Sequence, residues 1–327
     1  MADLQSAFPR LLGDVGGTNA RWAWQAFAGA PITHASSLPA SDFATIGDCI
    51  RAFLVRQSLP APRQAAFGIA TAVTTDEVRM TNHSWSFSID ALRAELGVQR
   101  LVVLNDFEAL AHAVPGLGAD TLLGVGKGRA VPDTALAVIG PGTGLGVSGL
   151  LPDGRGGWRV IAGEGGHVTL AAATAREACV LAALRERFGH VSAERALSGP
   201  GLVNLYEAVC AVDGTAARTL QPADVMTGAF GDEGATLDPR CSDAVTLFAA
   251  LLGSVAGNLA LTLGARGGVF IGGGIVPRLG DRFARLPFRS SFEDKGRFRE
   301  YLQAIPTWVI TADSPALVGA ARALDAA

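Results

Sequence analysis

A short glycine-rich turn between two apolar strands occurs twice in this chain of 327 residues. The first copy, GDVGGTNARWAWQAF, begins at Gly13, and its aromatic residues alternate with Arg21, Ala23 and Gln25. A period of two with aromatic residues predicts a β-strand, so we expect a β-hairpin with an acid and glycines at its tip. Dinucleotide-binding motifs and P-loops need a different glycine spacing that opens a helix, and neither spacing is present.

The second copy lies in TALAVIGPGTGLGVSGLL and has the same order of strand, turn and strand. An apolar run at 135–139 precedes the Gly/Thr turn 140–144, and a strand at 145–151 leads through another hairpin turn to a strand at 158–162. Between the two copies, RQAAFGIATAVT and RLVVLNDF are strand-like, and a helical pattern covers Ile89–Leu96. The repeated order predicts two α/β lobes with a cleft between them.

Helical periodicity dominates the second half of the chain. TAREACVLAALRERFG predicts a helix with Thr174 as its N-cap and an apolar stripe at Ala178, Leu181 and Leu184. CSDAVTLFAALLGSVAGNLALTL is apolar on nearly all sides, which predicts a long buried helix. GGVFIGGGIV predicts a buried strand that runs into three glycines, and SPALVGAARAL predicts a final helix capped by Ser314.

Composition argues against several classes of function. Hydrophobic residues make up 49% of the chain and charged residues 17%, which allows a large core, and the net charge of -3 offers no basic surface for nucleic acid or membrane. We expect no membrane span, since Gly, Ala, Thr and Arg interrupt the best candidate, GNLALTLGARGG. The four scattered cysteines have no zinc spacing, and the first residues show no secretory pattern, so we expect reduced thiols and a cytoplasmic protein.

The two glycine turns are candidate phosphate sites. A hairpin tip rich in backbone N–H groups forms a concave site for anions, and two tips that face each other would hold a polyphosphate from both sides. Asp14 alone would repel phosphate, so we expect it to hold Mg²⁺ through water. The alternative for either turn is an ordinary hairpin that uses Gly and Asn for positive φ. The repetition favours the phosphate interpretation.

Asn105 and Asp106 follow the apolar run LVVL, where a strand should end. Side chains just past the carboxyl ends of strands line the ligand crevice in open α/β sheets. An Asp there can act as a general base, and a neighbouring Asn can hydrogen-bond a hydroxyl. The alternative is that the pair forms an Asx turn or a cap for the helix of FEALAHAV.

Three further polar residues lie near glycines. Glu164 and His167 occur in GEGGHV, where the glycines suggest close approach of a polar ligand, although a surface turn has the same pattern. Glu194 follows Ser192, which could cap a helix with the acid in its first turn. That account of Glu194 needs no ligand.

Eight motifs, in this order, together resemble the bacterial ATP-dependent glucokinases. They are GDVGGTNARW, MTNHSWSFSI, LNDFEALA, GPGTGLGV, GEGGHV, GHVSAERALSGPGLVNLY, GGVFIGGGIVPR and SFEDKGRF, and they extend from about Leu11 to Val318. That family belongs to the superfamily of sugar kinases, actin and heat-shock chaperones. The resemblance implies two ribonuclease-H-like, actin-like ATPase lobes that flank an interdomain cleft.

The resemblance also implies how the lobes divide the chain. The small lobe would comprise 1–115 plus about 308–327, with the first phosphate loop and part of the sugar site. The large lobe would comprise 116–307, with the second phosphate loop, the adenosine site and the rest of the sugar site. A cytoplasmic homodimer that binds neither nucleic acid nor membrane is the implied state.

Each candidate residue receives a role from the resemblance. The ATP-binding set is Asp14, Gly16, Gly17, Thr18, Asn19, Gly142, Thr143, Gly144, Gly272, Gly273 and Gly274. The sugar-binding set is Asn105, Asp106, Glu164, His167 and Glu194. Asp106 matches the catalytic base, and Asp14 matches the residue near Mg²⁺, which it would hold through water.

The implied activity is transfer of the γ-phosphoryl group of MgATP to the 6-hydroxyl of D-glucose, the first step of glycolysis. Alternatives are a hexose kinase of different or broader sugar specificity, or a non-catalytic sugar sensor on the same fold. An intact Asp106 argues against a sensor, which needs no base. An actin-like or chaperone ATPase would lack the clustered sugar contacts. The sugar range, the phosphoryl donor and any regulation stay open at this point.

Overall fold

The structure, a computed structural model, describes residues 7–231 and 237–326. Its strands are β1 Arg10–Val15, β2 Asn19–Gln25, β3 Thr33–Pro39, β4 Gln64–Ile69, β5 Glu77–Arg79, β6 Ser86–Ser88, β7 Arg100–Asn105, β8 Leu122–Val125, β9 Leu136–Pro141, β10 Leu145–Pro152, β11 Trp158–Gly163, β12 Gly268–Ile271 and β13 Thr307–Ile310. Its helices are α1 Ile46–Arg56, α2 Ile89–Leu96, α3 Asp106–Ala113, α4 Ala175–Phe188, α5 Gly199–Val212, α6 Pro222–Phe230, α7 Pro239–Leu263, α8 Val276–Leu279, α9 Phe288–Glu293, α10 Arg299–Ala304 and α11 Pro315–Asp325. The predicted hairpins and the helix over Ile89–Leu96 are confirmed.

The strands form three sheets in the described residues. Their strand orders are β3-β2-β1-β4-β7, β11-β10-β9-β12-β13-β8 and the small pair β5-β6. Residue contacts divide the chain into two compact units. Among the described residues, the first unit contains 7–118, 153–162 and 312–326, and the second contains 119–152, 163–231 and 237–311.

The sheet of the first unit is covered on both faces. β2 runs antiparallel to β1, whereas β4 is parallel to β1 and β7 is parallel to β4. Successive side chains of a strand point to opposite faces. Accordingly, Leu11 packs in one core with Trp22 and Ile50, and Leu12 packs in another with Leu317 of α11. Parallel strands need such cover on both sides.

The second unit has one large core in which α7 is central. Phe248, Leu251 and Leu252 of α7 are fully buried, and the helix packs against α5, α6 and α9. β9 and β12 are parallel and buried along their whole length. The predicted buried helix and the buried strand before the three glycines are therefore confirmed.

The argument that residues interrupt every long apolar run is wrong for α7, although this helix does not contradict the expectation of no membrane span. Among the described residues it is the one helix long and apolar enough to cross a membrane, with a mean hydropathy of 1.9 over its most apolar stretch of 18 residues. Its glycines do not interrupt it, because Gly253 and Gly257 lie inside a continuous helix of 25 residues. Of that stretch of 18 residues, 72% is buried inside the protein. A helix buried in this way is a core helix of the second unit.

The predicted cap of α4 is confirmed. The Thr174 side chain accepts a hydrogen bond from the backbone N–H of Glu177, and the Glu177 carboxylate accepts one from the backbone of Thr174, which makes a capping box. The apolar stripe is partly wrong: Leu181 and Leu184 are buried, whereas Ala178 is exposed and Val180 is buried in its place.

The predicted cap of α11 is only positionally correct. Ser314 occupies the N-cap position, but its side chain makes no capping hydrogen bond and its φ is 53°. The Arg21 guanidinium of β2 instead donates a hydrogen bond to the Ser314 hydroxyl. The Ser314 side chain is therefore bonded to β2 and does not cap α11.

Candidate active site

The first hairpin tip connects β1 to β2 in the first unit. The backbone N–H of Gly16 donates to the carbonyl of Asn19 at 2.9 Å, which closes the turn, and Thr18 and Asn19 are exposed. Asp14 lies opposite Arg21 in the strand register. Burial raises the pKa of the Asp14 carboxyl, and the charge of Arg21 opposes that rise. The tip therefore places exposed turn backbone beside a desolvated carboxyl that a cation would stabilise.

The carboxyl ends of three neighbouring parallel strands lie level with one another. Val15 of β1 pairs with Ile69 of β4, and Ile69 pairs with Asn105 of β7. Ala70 donates a backbone hydrogen bond to the Val15 carbonyl at 3.0 Å, and the Asn105 side-chain amide donates to the Thr71 carbonyl at 3.1 Å. The structure thus brings the first glycine turn and the Asn105–Asp106 pair to the same edge of one sheet.

Asn105 caps α3 and Asp106 is the first residue of that helix. The backbone N–H of Phe107 donates to the Asn105 side chain at 2.9 Å and to the Asp106 carboxylate at 3.0 Å. The helix-cap alternative is therefore correct for Asn105. The cap does not use every hydrogen-bonding group of the Asn105 side chain, because a second amide hydrogen and an oxygen lone pair have no role in these bonds.

The residues present suit a metal held mainly by water and phosphate. In the part of the chain that the structure describes, no group of three or more His, Cys, Asp or Glu residues could enclose a metal ion. Asp14 is a single, desolvated carboxyl beside an anion-binding turn. Mg²⁺ commonly binds proteins through one or two carboxylates and keeps several waters. Asp14 therefore fits the predicted role at Mg²⁺.

The second glycine turn is the β9–β10 hairpin tip of the second unit. Gly142 donates a backbone hydrogen bond to the Gly144 carbonyl at 2.8 Å, and the Gly142 carbonyl accepts one from Gly199 at the start of α5, also at 2.8 Å. Leu145 then begins β10, and its backbone N–H donates to the Glu194 carboxylate at 2.8 Å. Glu194 is therefore attached directly to the strand that follows the turn.

The predicted adenosine glycines contact the predicted phosphate turn. Gly272 donates a backbone hydrogen bond to the Ile139 carbonyl at 2.9 Å. Gly273 has a φ of +75°, and a Cβ at this position would lie 2.3 Å from the Pro141 carbonyl oxygen, so only glycine fits. A Cβ at Gly274 would meet no atom within 4 Å. Bare backbone with open space at its end is suited to the close approach of a flat base.

Glu164 precedes a short 3₁₀ helix, Gly165–His167, and His167 is its last residue. Their side chains are 60% and 61% exposed, and His167 Nε2 lies 4.0 Å from Glu164 Oε2. Packing accounts for one glycine of the loop: a Cβ at Gly166 would lie 2.1 Å from the Leu145 carbonyl oxygen, so the loop needs glycine there to pack on β10. A Cβ at Gly163 would meet no atom within 4 Å, and the close approach of a polar ligand stays a prediction.

The predicted sugar residues of the second unit gather near the start of β10. Ser192 occupies the N-cap position of the 3₁₀ helix Ala193–Arg195 and Glu194 lies in its first turn, as the helix-cap alternative has it, but the Ser192 side chain makes no capping hydrogen bond. Ala193 donates a backbone hydrogen bond to the Val168 carbonyl at 2.9 Å, which joins this helix to the loop that contains His167. Leu145 is thus a common neighbour of Glu194 and of the GEGGHV loop.

Three residues that contact the candidate site escaped the sequence analysis. Arg21 lies opposite Asp14, the Thr71 carbonyl accepts from Asn105, and the Glu108 carboxylate accepts from the Asn105 backbone N–H. The Asn-x-x-Glu spacing of Asn105 and Glu108 resembles a capping box and could have identified Glu108. Nothing local in the sequence indicates Thr71, because its contact depends on the alignment of two strands.

Comparisons with known proteins agree over nearly the whole chain. The glucokinase family model matches residues 11–327. A glucokinase from Aromatoleum aromaticum is 54% identical over 319 residues, which cover 97% of this chain and 95% of that protein. The crystal structure of a glucokinase from an Antarctic psychrotroph has a TM-score of 0.87 at 36% identity and covers 98% of this chain and 99% of that one. A ROK family glucokinase from Streptomyces griseus, in complex with glucose and AMPPNP, shares the fold, with a TM-score of 0.62, 19% identity and 96% and 98% coverage.

Proposed function

Because the chain belongs to the glucokinase family, we propose that it transfers the γ-phosphoryl group of MgATP to the 6-hydroxyl of D-glucose. The product is glucose 6-phosphate, and the reaction is the first step of glycolysis. The observation that supports this best is the alignment of Val15, Ile69 and Asn105. It brings the base candidate Asp106 to the sheet edge that also contains the Asp14 turn.

In the first unit, Asp106 accepts the proton of the attacking hydroxyl. Asn105 precedes it and donates its free amide hydrogen to a neighbouring sugar hydroxyl. Phosphoryl transfer has a loose transition state, so positioning and charge stabilisation account for most of the rate. Asp106 suits that task, because it is the first residue of α3 and hydrogen bonds of the neighbouring residues hold the start of this helix in one orientation.

In the second unit, Glu164, His167 and Glu194 bind the remaining sugar hydroxyls. Carboxylates and an imidazole suit a polyol, because each engages neighbouring hydroxyls in a fixed pattern. A sugar with a missing or inverted hydroxyl would leave one of these groups unpaired, which costs about 1–3 kcal/mol when the group is buried.

The glycine turns bind the nucleotide. Backbone N–H groups of Gly16–Asn19 and of Gly142–Gly144 approach the phosphates, and Gly272–Gly274 lie beside the adenosine. Asp14 would hold Mg²⁺ through water, and the ion would supply positive charge beside the phosphates. The proposal draws on the complex of the Streptomyces griseus protein with glucose and AMPPNP, together with the contact between Gly273 and the β9–β10 turn.

The lobe organisation is also part of the proposal. It comprises a small lobe of 1–115 plus about 308–327 and a large lobe of 116–307, each ribonuclease-H-like. We further propose a cytoplasmic homodimer, which rests on the family resemblance and on the scattered, reduced thiols.

A coupled assay with MgATP tests the reaction and the substrate together. It is run in parallel with glucose, mannose, fructose, N-acetylglucosamine and no sugar. We expect a strong preference for glucose and little ATP hydrolysis without sugar. Activity on another sugar alone would contradict the substrate, whereas sugar-independent hydrolysis, or glucose binding without turnover, would contradict the kinase assignment.

The variant Asp106→Ala tests the base. Loss of the carboxylate removes the proton acceptor, so we expect kcat to fall by about two to four orders of magnitude, with glucose binding partly retained. Asp120→Ala, at an exposed acid of the second unit, is the matched control and should keep wild-type turnover. Near-normal turnover of Asp106→Ala would remove Asp106 from this role.

A further inference from the structure

The second unit contains a cavity that includes none of the residues assigned to the nucleotide or the sugar. Its volume is about 430 Å³, within the size range of small-molecule sites. Lys127, Arg129 and Arg266 line it together with Val131 and Tyr301. The cavity therefore shares no residue with the candidate active site.

Backbone hydrogen bonds fasten the walls of the cavity to one another. Arg129 donates its backbone N–H to the Ala304 carbonyl at 3.0 Å, and Val131 donates to the Arg266 carbonyl at 3.1 Å. The Arg289 guanidinium donates to the Ile305 carbonyl at 2.8 Å and to two neighbouring carbonyls, which holds the end of α10. These bonds hold the backbone of the walls in place, whereas the side chains of Lys127, Arg129 and Arg266 are exposed.

The three cations of the cavity have no acidic partner. In the described ranges 7–231 and 237–326, no ion pair joins Lys127, Arg129 or Arg266 to an Asp or Glu, and no acid lines the cavity. Other arginines of the same unit are paired: Arg176 binds Asp213 and Asp243. Three unpaired positive charges around one concave site attract anions.

We propose that this cavity binds a small phosphate-bearing molecule. Two guanidinium groups and an ammonium group match the charge and the several acceptor oxygens of a phosphate dianion, and Arg suits phosphate by its two-pronged geometry. Val131 and Tyr301 offer apolar and aromatic surface to the carbon part of a phosphate ester. The proposal does not depend on the kinase reaction, because no catalytic candidate lines the cavity.

Calorimetric titration with inorganic phosphate and with AMP tests the proposal. Saturating glucose and AMPPNP are present to occupy the proposed active site, and ionic strength is held constant. The double variant Arg129→Glu/Arg266→Glu is compared with the wild type. Arg155→Glu/Arg285→Glu, at two exposed arginines outside the cavity, is the control of equal charge change.

We expect saturable binding in the wild type and in the control, and at least about tenfold weaker binding in the cavity variant, as the loss of two surface charge contacts predicts. Tighter binding of AMP than of phosphate would support contact with Tyr301. Absence of saturable binding, equal binding by the cavity variant, or equal loss in both variants would overturn the proposal. If charge reversal lowers the melting temperature, Arg129→Gln/Arg266→Gln replaces it in the same comparison. Kinase activity of the same variants, measured with MgATP in place of AMPPNP, reports separately on the proposed function.

Discussion

At the scale of single residues, Asp14 shows how a strand position determines the chemistry of a carboxyl. Its side chain lies in β1 opposite Arg21, and burial raises its pKa above the ordinary value of 3.8 despite that neighbour. In the absence of a cation, the ionised folded carboxyl is therefore less favourable than the ionised carboxyl of the unfolded chain. A metal ion near the turn would reverse this disadvantage.

Asp14→Asn should raise the free energy of unfolding at about pH 7 in metal-free buffer while it lowers turnover with MgATP. The pKa of Asp14 is higher in the folded protein than its ordinary value of 3.8. The contribution of Asp14 to the free energy of unfolding is therefore fully present below pH 3.8 and is lost as the pH rises through the folded pKa. The difference between Asp14→Asn and the wild type should therefore shrink as the pH is lowered. Urea unfolding across the pH range measures this, with the exposed Asp120→Asn as control. Lower stability of Asp14→Asn at neutral pH would contradict the argument.

Glu194 combines a structural bond with a predicted role in sugar binding. Its carboxylate accepts from the N–H of Leu145, which is 5% exposed, so that N–H has little access to water. Glu194→Gln keeps an oxygen acceptor and removes the charge, so we expect a glucose KM raised about tenfold with kcat largely kept. Glu194→Ala leaves the N–H unpaired and should also destabilise the protein by about 1–3 kcal/mol. Steady-state kinetics and urea unfolding measure both, and an unchanged KM in Glu194→Gln would remove the sugar role.

At the scale of elements, the start of α3 is fastened from three directions. The Asn105 side chain accepts from Phe107 and donates to Thr71, and the Glu108 carboxylate accepts from the Asn105 backbone N–H. Burial raises the pKa of Glu108, and the Asn105 hydrogen bond opposes that rise. Asp106 is thus held by its neighbours on both sides, which makes Glu108 a positioning residue for the proposed base.

Glu108→Ala should lower kcat by about tenfold with a smaller change in glucose KM, because Asp106 loses its fixed orientation. The free energy of unfolding should fall by about 0.5–2 kcal/mol, as for a lost helix cap. Glu108→Gln keeps the acceptor oxygen and should retain most of the turnover.

The control for Glu108→Ala is Asp90→Ala, an acid in the first turn of α2. It should lower stability without lowering kcat, since α2 contains no candidate catalytic residue. Equal losses of kcat in the two Ala variants, or no rescue by Gln, would contradict a positioning role for Glu108.

At the scale of the whole molecule, the proposed function needs residues from both compact units. Asp14 and Asp106 belong to the first unit, and Glu194 and Gly273 belong to the second. A ligand that binds only the folded protein stabilises it by about 2.7 kcal/mol at a concentration of 100 times its Kd. Glucose and AMPPNP with Mg²⁺ should therefore each raise the melting temperature.

Variants in each unit distinguish the stabilisation by glucose from the stabilisation by MgAMPPNP. Glu194→Gln should reduce the thermal shift with glucose and keep the shift with MgAMPPNP, and Asp14→Asn should do the reverse. Thermal unfolding monitored by fluorescence measures both shifts. Equal loss of both shifts in either variant would show that the residue acts on stability rather than on one ligand.

Local features of the chain predicted most of its elements. The alternation after Gly13 predicted β2, the Thr174 signal predicted the start of α4, and the apolar run of α7 predicted a buried helix. These predictions succeed because the backbone geometry of a strand, a cap or an apolar helix depends on residues within a few positions. The Ser314 prediction gives the right N-cap position but not the hydrogen bond, because the partner of its side chain, Arg21, is 293 residues away in the chain.

The sequence by itself determined the elements, the two glycine turns and the candidate polar residues, because each depends on short-range backbone preferences and side-chain chemistry. Tertiary structure alone decided which of these residues are neighbours. The level ends of β1, β4 and β7 join Asp14 to Asp106, and packing on β10 joins Glu194 to the GEGGHV loop. Strand register and burial are set by the whole hydrophobic core, so contacts between distant segments, and the raised pKa of Asp14, exist only once the chain has folded.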